Sequence, residues 1–174
     1  MSTDDMHDAE PDSDSDADFE TCDFNPADAP ELARLFRDAI KITAASDYST
    51  EQLAAWEKSA DDEAAFAAAL NEGWVRIAVD DEGIVGFAQL NMPGHLAMLY
   101  TAPRAARRGV ATLLMDDMHM LAAAMGAKKI TVEASSLARA FLAKEGFSDT
   151  GTEVVERHGV SFTRYLMAIK TRPL

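Results

Sequence analysis

The stretch Leu99-Tyr100-Thr101-Ala102-Pro103-Arg104-Ala105-Ala106-Arg107-Arg108-Gly109-Val110-Ala111-Thr112-Leu113-Leu114 decides how this chain is read. It opens at the end of a short apolar strand, His95–Tyr100. It then crosses a loop holding Arg104, Arg107 and Arg108, and passes Gly109 into a long helix expected over Val110–Met125 and closed by Gly126. The first N–H groups of a helix have no partner inside it, and the macrodipole is positive there. A phosphate is well placed at such an end, and Gly109 lets the backbone approach it. Three of the ten arginines fall within five positions, in a chain of net charge −14. The clustering is therefore local. On these residues alone, a solvated helix start remains as good a reading as a phosphate site.

Outward from this stretch the hydrophobic period alternates. Upstream, Phe19–Phe24 reads as a strand. Asp28 begins a helix, with Pro30 in its first turn, Glu31 in capping-box position, and Leu32, Leu35, Phe36, Ala39 and Ile40 on one stripe. Ser49 with Gln52 starts a second helix, and Asp62–Leu70 forms a third. Trp74–Val79 and Ile84–Leu90 read as a hairpin. Downstream come a strand at Ile130–Ala134, a helix at Leu137–Lys144 and a last hairpin, Thr152–Glu156 with Val160–Ile169, turning at His158–Gly159. Strands alternating with helices in the middle and pairing at the edges predict an α/β (α+β) chain, a mixed sheet with helices on both faces.

Composition narrows the function. The 174 residues, 48% of them hydrophobic, suit one domain over residues 19–174. Residues 1–18 carry eight acids and almost nothing apolar, so a disordered acidic tail is expected. No run of about 18 apolar residues exists, so no membrane span is expected, and no secretion signal is seen. The sole cysteine, Cys22, fits a reducing cytoplasm and reads as a small buried or strand-edge residue rather than a nucleophile. So acidic a chain should be repelled by nucleic acid and anionic membranes, although such acidity also occurs in proteins from salty surroundings. Four histidines, His119 among them, and one cysteine show no metal-ligand spacing, so no metal is expected. No phosphate-loop Gly-Lys-Ser/Thr and no Gly-x-Ser-x-Gly elbow occurs.

Ala106-Arg107-Arg108-Gly109-Val110-Ala111, with Pro103 six residues before the glycine, resembles the acyl-CoA loop of the GNAT N-acetyltransferase superfamily. The family pattern is Gln or Arg, two residues, Gly, one residue, then Gly or Ala; Ala106 departs from it. Ser135–Phe147 resembles the family's later helix ending in Gly-Phe, with Leu142 where the family often has a tyrosine as general acid. Asp47-Tyr48-Ser49 and Gly94-His95 resemble a little-characterised bacterial branch. The resemblance runs from about Phe19 to Ile169. It implies a mostly antiparallel twisted sheet of about seven strands whose central parallel pair, His95–Tyr100 and Ile130–Ala134, splays apart.

Acetyl-CoA is then the co-substrate, held by Met98, Leu99 and Tyr100 through their backbones and by Arg104, Arg107, Arg108, Gly109, Val110, Ala111 and Thr112. An amine attacks the thioester directly, and needs a base to lose its proton. His95 stands eleven residues before Ala106, where the histone-modifying branch has a glutamate base, and histidine can do this work near neutral pH. Glu133, a charge in an otherwise apolar strand, is the second candidate base or ammonium contact. Tyr165 and Tyr100 are candidate acids, with core packing the plainer reading of both. Tyr48 and Trp56 are candidates to line the acceptor pocket. The acceptor is expected to be a small, cationic amine, with modification of a protein N-terminus or lysine a further possibility and a homodimer permitted. A non-catalytic acyl-CoA-binding or sensing module is the rival reading, favoured by Ala106 and Leu142.

Overall fold

The computed structural model describes residues 18–173. All but the last residue of the expected acidic tail therefore lies outside the described residues. The elements in chain order are β1 (Glu20–Asp23), α1 (Ala29–Asp38), α2 (Thr50–Glu57), α3 (Glu63–Leu70), β2 (Trp74–Asp80), β3 (Gly83–Asn91), β4 (His95–Thr101), α4 (Val110–Ala124), β5 (Lys129–Ala134), α5 (Ser136–Lys144), β6 (Ser148–Arg157) and β7 (Val160–Lys170). The strands form one seven-stranded sheet in the order β1-β2-β3-β4-β5-β7-β6. Every neighbouring pair is antiparallel except β4 and β5. The mixed sheet expected from the alternating period is the one found.

Local chemistry accounts for most boundaries. Ser49 and Gln52 cap each other's backbone at the start of α2, as their spacing predicts. The first helix differs. Its reciprocal cap lies one step earlier, between Asn25 and Asp28, and closes a 3-10 turn, Pro26–Asp28. Asp28 itself has helical backbone angles and makes no side-chain cap with the start of α1; its carboxylate turns back to accept from the Asn25 N–H. After α1 the chain widens into a π-helical turn, Ala39–Thr43. The last hairpin turns on His158 and Gly159, both at positive φ, the backbone that suits a two-residue connection. Its first strand begins four residues earlier than Thr152. Ser148-Asp149-Thr150-Gly151 has poor strand propensity, and pairing with β7 overrides it, at the cost of an irregularity between Asp149 and Gly151. Cys22 is exposed on the edge strand β1, so it is not buried.

Two cores cover the two sheet faces. One packs α4 and α5 on Ala88, Leu96, Ile130, Val132, Ala134 and Met167. The other packs α1 and α3 on Val75 and Phe87, with Met98 and Tyr100 at its margin. Leu114, Met115 and Met118 of α4 are wholly buried. At about 1.5–3 kcal/mol each, they outweigh the roughly 1–2 kcal/mol cost of a left-handed residue such as Arg107, at φ 62° just before the helix. Packing thus fixes where the N-terminus of α4 points.

His119 lies on the same helix, 2% exposed, and neither ring nitrogen has a partner among the described residues. Burial, with the nearby Arg172 charge second, pushes its pKa below the usual histidine value. Below about pH 6.5 the unfolded chain therefore binds a proton that the folded chain resists, and stability declines until the folded His119 itself titrates. Replacing His119 with leucine is expected to narrow the gap between the melting temperatures at pH 7.5 and pH 5.5. It is not expected to lower the value at pH 7.5. An unchanged gap would show that His119 is not the group responsible.

Candidate active site

The sheet opens between its two parallel strands. β4 and β5 pair only at His95 and Thr131, where the Thr131 N–H donates to the Gly94 carbonyl at 3.0 Å. Beyond that root they diverge, while β4 stays paired to β3 along its other edge, with an irregularity between Gln89 and Leu90. The root is tight. Gly94 has φ 135°, and a Cβ there would lie 2.6 Å from the Lys129 carbonyl oxygen. The open edge of β4 carries Met98, Leu99 and Tyr100 toward the mouth of the V.

The N-terminus of α4 flanks that mouth. Gly109 is the N-cap, left-handed at φ 87°, and no side chain caps the helix. The first internal bond at this end runs from the Leu113 N–H to the Gly109 carbonyl, at 3.0 Å. Among the described residues, the N–H groups of Val110, Ala111 and Thr112 have no acceptor. Among the described residues, nothing beyond its chain neighbours stands within 4 Å of where a Gly109 Cβ would be. Arg107 and Arg108 have no carboxylate partner among the described residues, and Arg108 lies over the Phe19 ring at 5.0 Å. This is a cradle for an anion, made of unmet donors and unneutralised charge.

Two of the residues named for this loop are otherwise engaged. Arg104 donates twice to Asp80, at 2.6 and 2.9 Å, holding that carboxyl's pKa down at about 2. The Thr112 hydroxyl donates to Glu145 at 3.0 Å. What Thr112 offers a ligand is its backbone N–H.

His95 and Glu133 meet across the root of the V, Nε2 to Oε2 at 2.9 Å. Thr131 completes the group, its Oγ1 3.2 Å from His95 Nδ1. Strand alternation explains the meeting. Ile130, Val132 and Ala134 point into the α4 core, so Thr131 and Glu133 point to the α1–α3 face. Both His95 and Glu133 side chains are about one third exposed, at 33% and 34%.

Toward the mouth, on this same face, the aromatic side chains gather. Tyr48 and Trp56 stand 5.3 Å apart by ring centroid, and each approaches Phe162 at 6.2 and 6.3 Å. Tyr48 is fixed by its hydroxyl, which accepts from the Ser136 N–H at 2.9 Å. The Gln52 side chain ties α2 to the Ser161 carbonyl of β7. Tyr100 packs against Phe36 at 4.7 Å and Phe87 at 5.7 Å, and burial raises the pKa of its hydroxyl.

Tyr165 is on the opposite face. It sits across from Ala134, against the α4 core, with the Arg139 guanidinium 4.2 Å above its ring. The fold therefore brings His95 and Glu133 together and keeps Tyr165 apart from them. Leu142 is 1% exposed within the same core, so it offers the site no polar group. Thr131 and Phe162 were not singled out from sequence. Their signal is only the period-two alternation on β5 and β7, and it becomes readable once the sheet order is known. A groove of about 410 Å³ beside α1, lined by Arg34, Asp38, Pro103 and Arg104 among others, includes neither His95 and Glu133 nor the aromatic group.

Comparison with known proteins agrees with this architecture. Residues 44–169 match the family model described as an acetyltransferase (GNAT) domain. The chain is 30% identical over 147 residues to the uncharacterized N-acetyltransferase YafP of Escherichia coli K12, covering 84% of this chain and 93% of that one. A solved GCN5-related N-acetyltransferase from Rhodopseudomonas palustris superposes with TM-score 0.85 at 38% identity, over 87% of this chain and 94% of that one. The fold is shared at 18% identity with PaiA N-acetyltransferase from Thermoplasma acidophilum, solved with coenzyme A (TM-score 0.69, 88% and 99% coverage). The chain belongs to the GNAT acetyltransferase family, and its class of reaction is N-acetyl transfer. Among the described residues no helix is long and apolar enough to cross a membrane.

Proposed function

We propose that this enzyme moves an acetyl group from acetyl-CoA to a small primary amine by direct attack, with no acyl-enzyme. The observation that carries the reading is the V between β4 and β5, with an anion cradle on one side of its mouth and a His95–Glu133 pair on the other face of the sheet. Acetyl-CoA supplies the activated acyl group. The backbone N–H groups of Val110, Ala111 and Thr112, with Arg107 and Arg108, suit its phosphates. The open edge of β4 at Met98, Leu99 and Tyr100 suits the pantetheine arm, and a strand N–H aimed at the thioester oxygen provides oxyanion-type stabilisation.

On the α1–α3 face the amine gives up its proton to His95. Glu133 accepts from Nε2–H, orients the imidazole and balances the charge it gains, which leaves Nδ1 to take the proton, passed from the amine through the Thr131 hydroxyl beside it. Tyr165, on the far side of the V from the base, is our candidate to protonate the departing thiolate, since Leu142 has no hydroxyl. Base and acid thus stand on opposite faces, as they must when the amine enters from one side and the thiol leaves on the other. The intact mass of the protein after mixing with acetyl-CoA alone tests direct transfer. It is expected to stay unmodified, with turnover beginning only when amine is added. A stoichiometric acetylated protein that passes its acetyl group to amine would overturn direct attack.

The cradle makes a separate expectation. Arg107→Gln with Arg108→Gln should raise KM for acetyl-CoA about tenfold or more, roughly 1.4 kcal/mol, and leave kcat nearly unchanged. Steady-state kinetics at fixed amine measures this. An unchanged KM would place the phosphates elsewhere.

A further inference from the structure

The chain enters its fold beside the anion cradle. Glu20 of β1 pairs with Val79, at the end of β2 that leads to Asp80. Asp80 is the residue that holds Arg104 of the loop before α4. The start of β1 and the start of α4 therefore lie at one end of the sheet. Phe19 brings them closer. Its side chain packs against the α4 core, and the Arg108 guanidinium lies 5.0 Å from its ring centroid. Asp18, one residue earlier, is exposed.

The sequence that leads to Phe19 reads Asp12-Ser13-Asp14-Ser15-Asp16-Ala17-Asp18, four carboxylates in seven residues. Asp4, Asp5, Asp8 and Glu10 precede them, and residues 1–18 hold no lysine or arginine. Asp16 is three residues from Phe19 and Asp12 is seven, so extended chain can carry them up to roughly 10 and 25 Å from it. The Arg108 guanidinium is well inside both distances. Arg107 and Arg108 have no carboxylate partner among the described residues, in a chain with 30 acids against 16 bases. The most acidic segment of the chain is thus tethered next to its least neutralised pair of cations.

We infer that residues 12–18 dock on the Arg107–Arg108 cradle and compete there with the phosphates of acetyl-CoA, so that the enzyme restrains itself. The inference rests on the cradle reading above. Aspartate carboxylates suit the donors that suit phosphate, namely two guanidinium groups and the unmet N–H groups of Val110, Ala111 and Thr112. The tether strengthens a contact that is weak between separate molecules. A short link gives an effective concentration on the order of millimolar. A cradle that holds a free acidic peptide at about a millimolar is then about half filled by its own chain. Acetyl-CoA binds against this occupant. Salt releases it, because screening shortens the reach of exposed charges from about 10 Å at 0.1 M to about 3 Å at 1 M.

The test replaces Asp12, Asp14, Asp16 and Asp18 together with asparagine in the full chain. KM for acetyl-CoA, from initial rates, and Kd for coenzyme A, from calorimetry, are compared with the parent. At low salt both constants are expected to fall about twofold or more, with kcat unchanged, and the difference should vanish near 1 M salt. The same four substitutions made on top of Arg107→Gln and Arg108→Gln should change neither constant. A fall that persists in that background would mean that the acids repel coenzyme A through their general field without docking, and would overturn the inference. So would constants equal to the parent's at low salt, although the cradle and acetyl transfer would then stand. If Arg107→Gln with Arg108→Gln left coenzyme A binding unchanged, the cradle reading would fall and the inference with it.

Discussion

Replacing His95 with alanine is expected to lower kcat by about a hundredfold or more at neutral pH, within the range general-base groups supply. KM for acetyl-CoA should hardly move, because the cradle at α4 does not involve His95. Glu133→Gln should cost less, about tenfold, since an amide oxygen can still accept from His95 Nε2 but cannot balance an imidazolium. Neither change should unfold the protein. The pair is one third exposed, and ion pairs in that setting contribute only about 0–1 kcal/mol. A large loss of rate beside a small loss of stability is therefore the signature of chemistry rather than scaffolding. If Glu133→Gln abolished activity while His95→Ala kept it, the roles would be exchanged and Glu133 would be the base. If both variants kept full activity, the proton would leave by another route.

Gly94→Ala should do more damage than any other single methyl group near the site. Its φ of 135° is a backbone that only glycine adopts readily, and the added Cβ would meet the Lys129 carbonyl at 2.6 Å and the Ala127 Cβ at 3.0 Å. Strain of this kind costs about 1–3 kcal/mol before any clash is counted, so a loss of about 3 kcal/mol or more is expected. That corresponds to a fall in Tm of roughly 6–12 °C for a chain this size. Activity should fall further than stability does, because the same carbonyl that accepts from Thr131 is followed directly by His95. Gly159→Ala is the control. It also has a positive φ, but among the described residues nothing beyond its chain neighbours stands within 4 Å of the added Cβ. Calorimetry and kinetics on the two variants separate strain at the root from strain in general. Equal losses in both would mean that the root carries no special constraint.

The fold was largely legible because its elements advertise themselves. Leu32, Leu35, Phe36 and Ile40 repeat at helical spacing, and Ser49 with Gln52 marks a helix start. Arg107-Arg108-Gly109 before an apolar helix marks the loop. The misplaced cap at Asp28 shows the limit of such signals. Asn25 and Asp28 fit the same reciprocal spacing as Asp28 and Glu31, and only the three-dimensional path of the chain chooses between them.

The site was legible residue by residue but not as a constellation. His95 and Glu133 each stood out, one by its place before the loop and the other as a charge among apolar neighbours. Nothing in the spacing shows that they touch, because β4 and β5 are separated by the whole of α4. Tyr165 could not be assigned a face until its pairing with Ala134 was known. Arg104 looked like part of the anion cradle, and in the fold it is spent on Asp80. An arginine's partner is a tertiary fact.

Amine-dependent release of coenzyme A thiol from acetyl-CoA, measured with the acetylated product across a panel of primary amines, tests acetyl transfer most directly. The expected result is saturable turnover with at least one amine, giving one acetyl amide for each thiol and depending on His95. Saturable acetyl-CoA binding by calorimetry with no turnover on any amine would contradict it, and would make the V between β4 and β5 an acyl-CoA-binding site without chemistry.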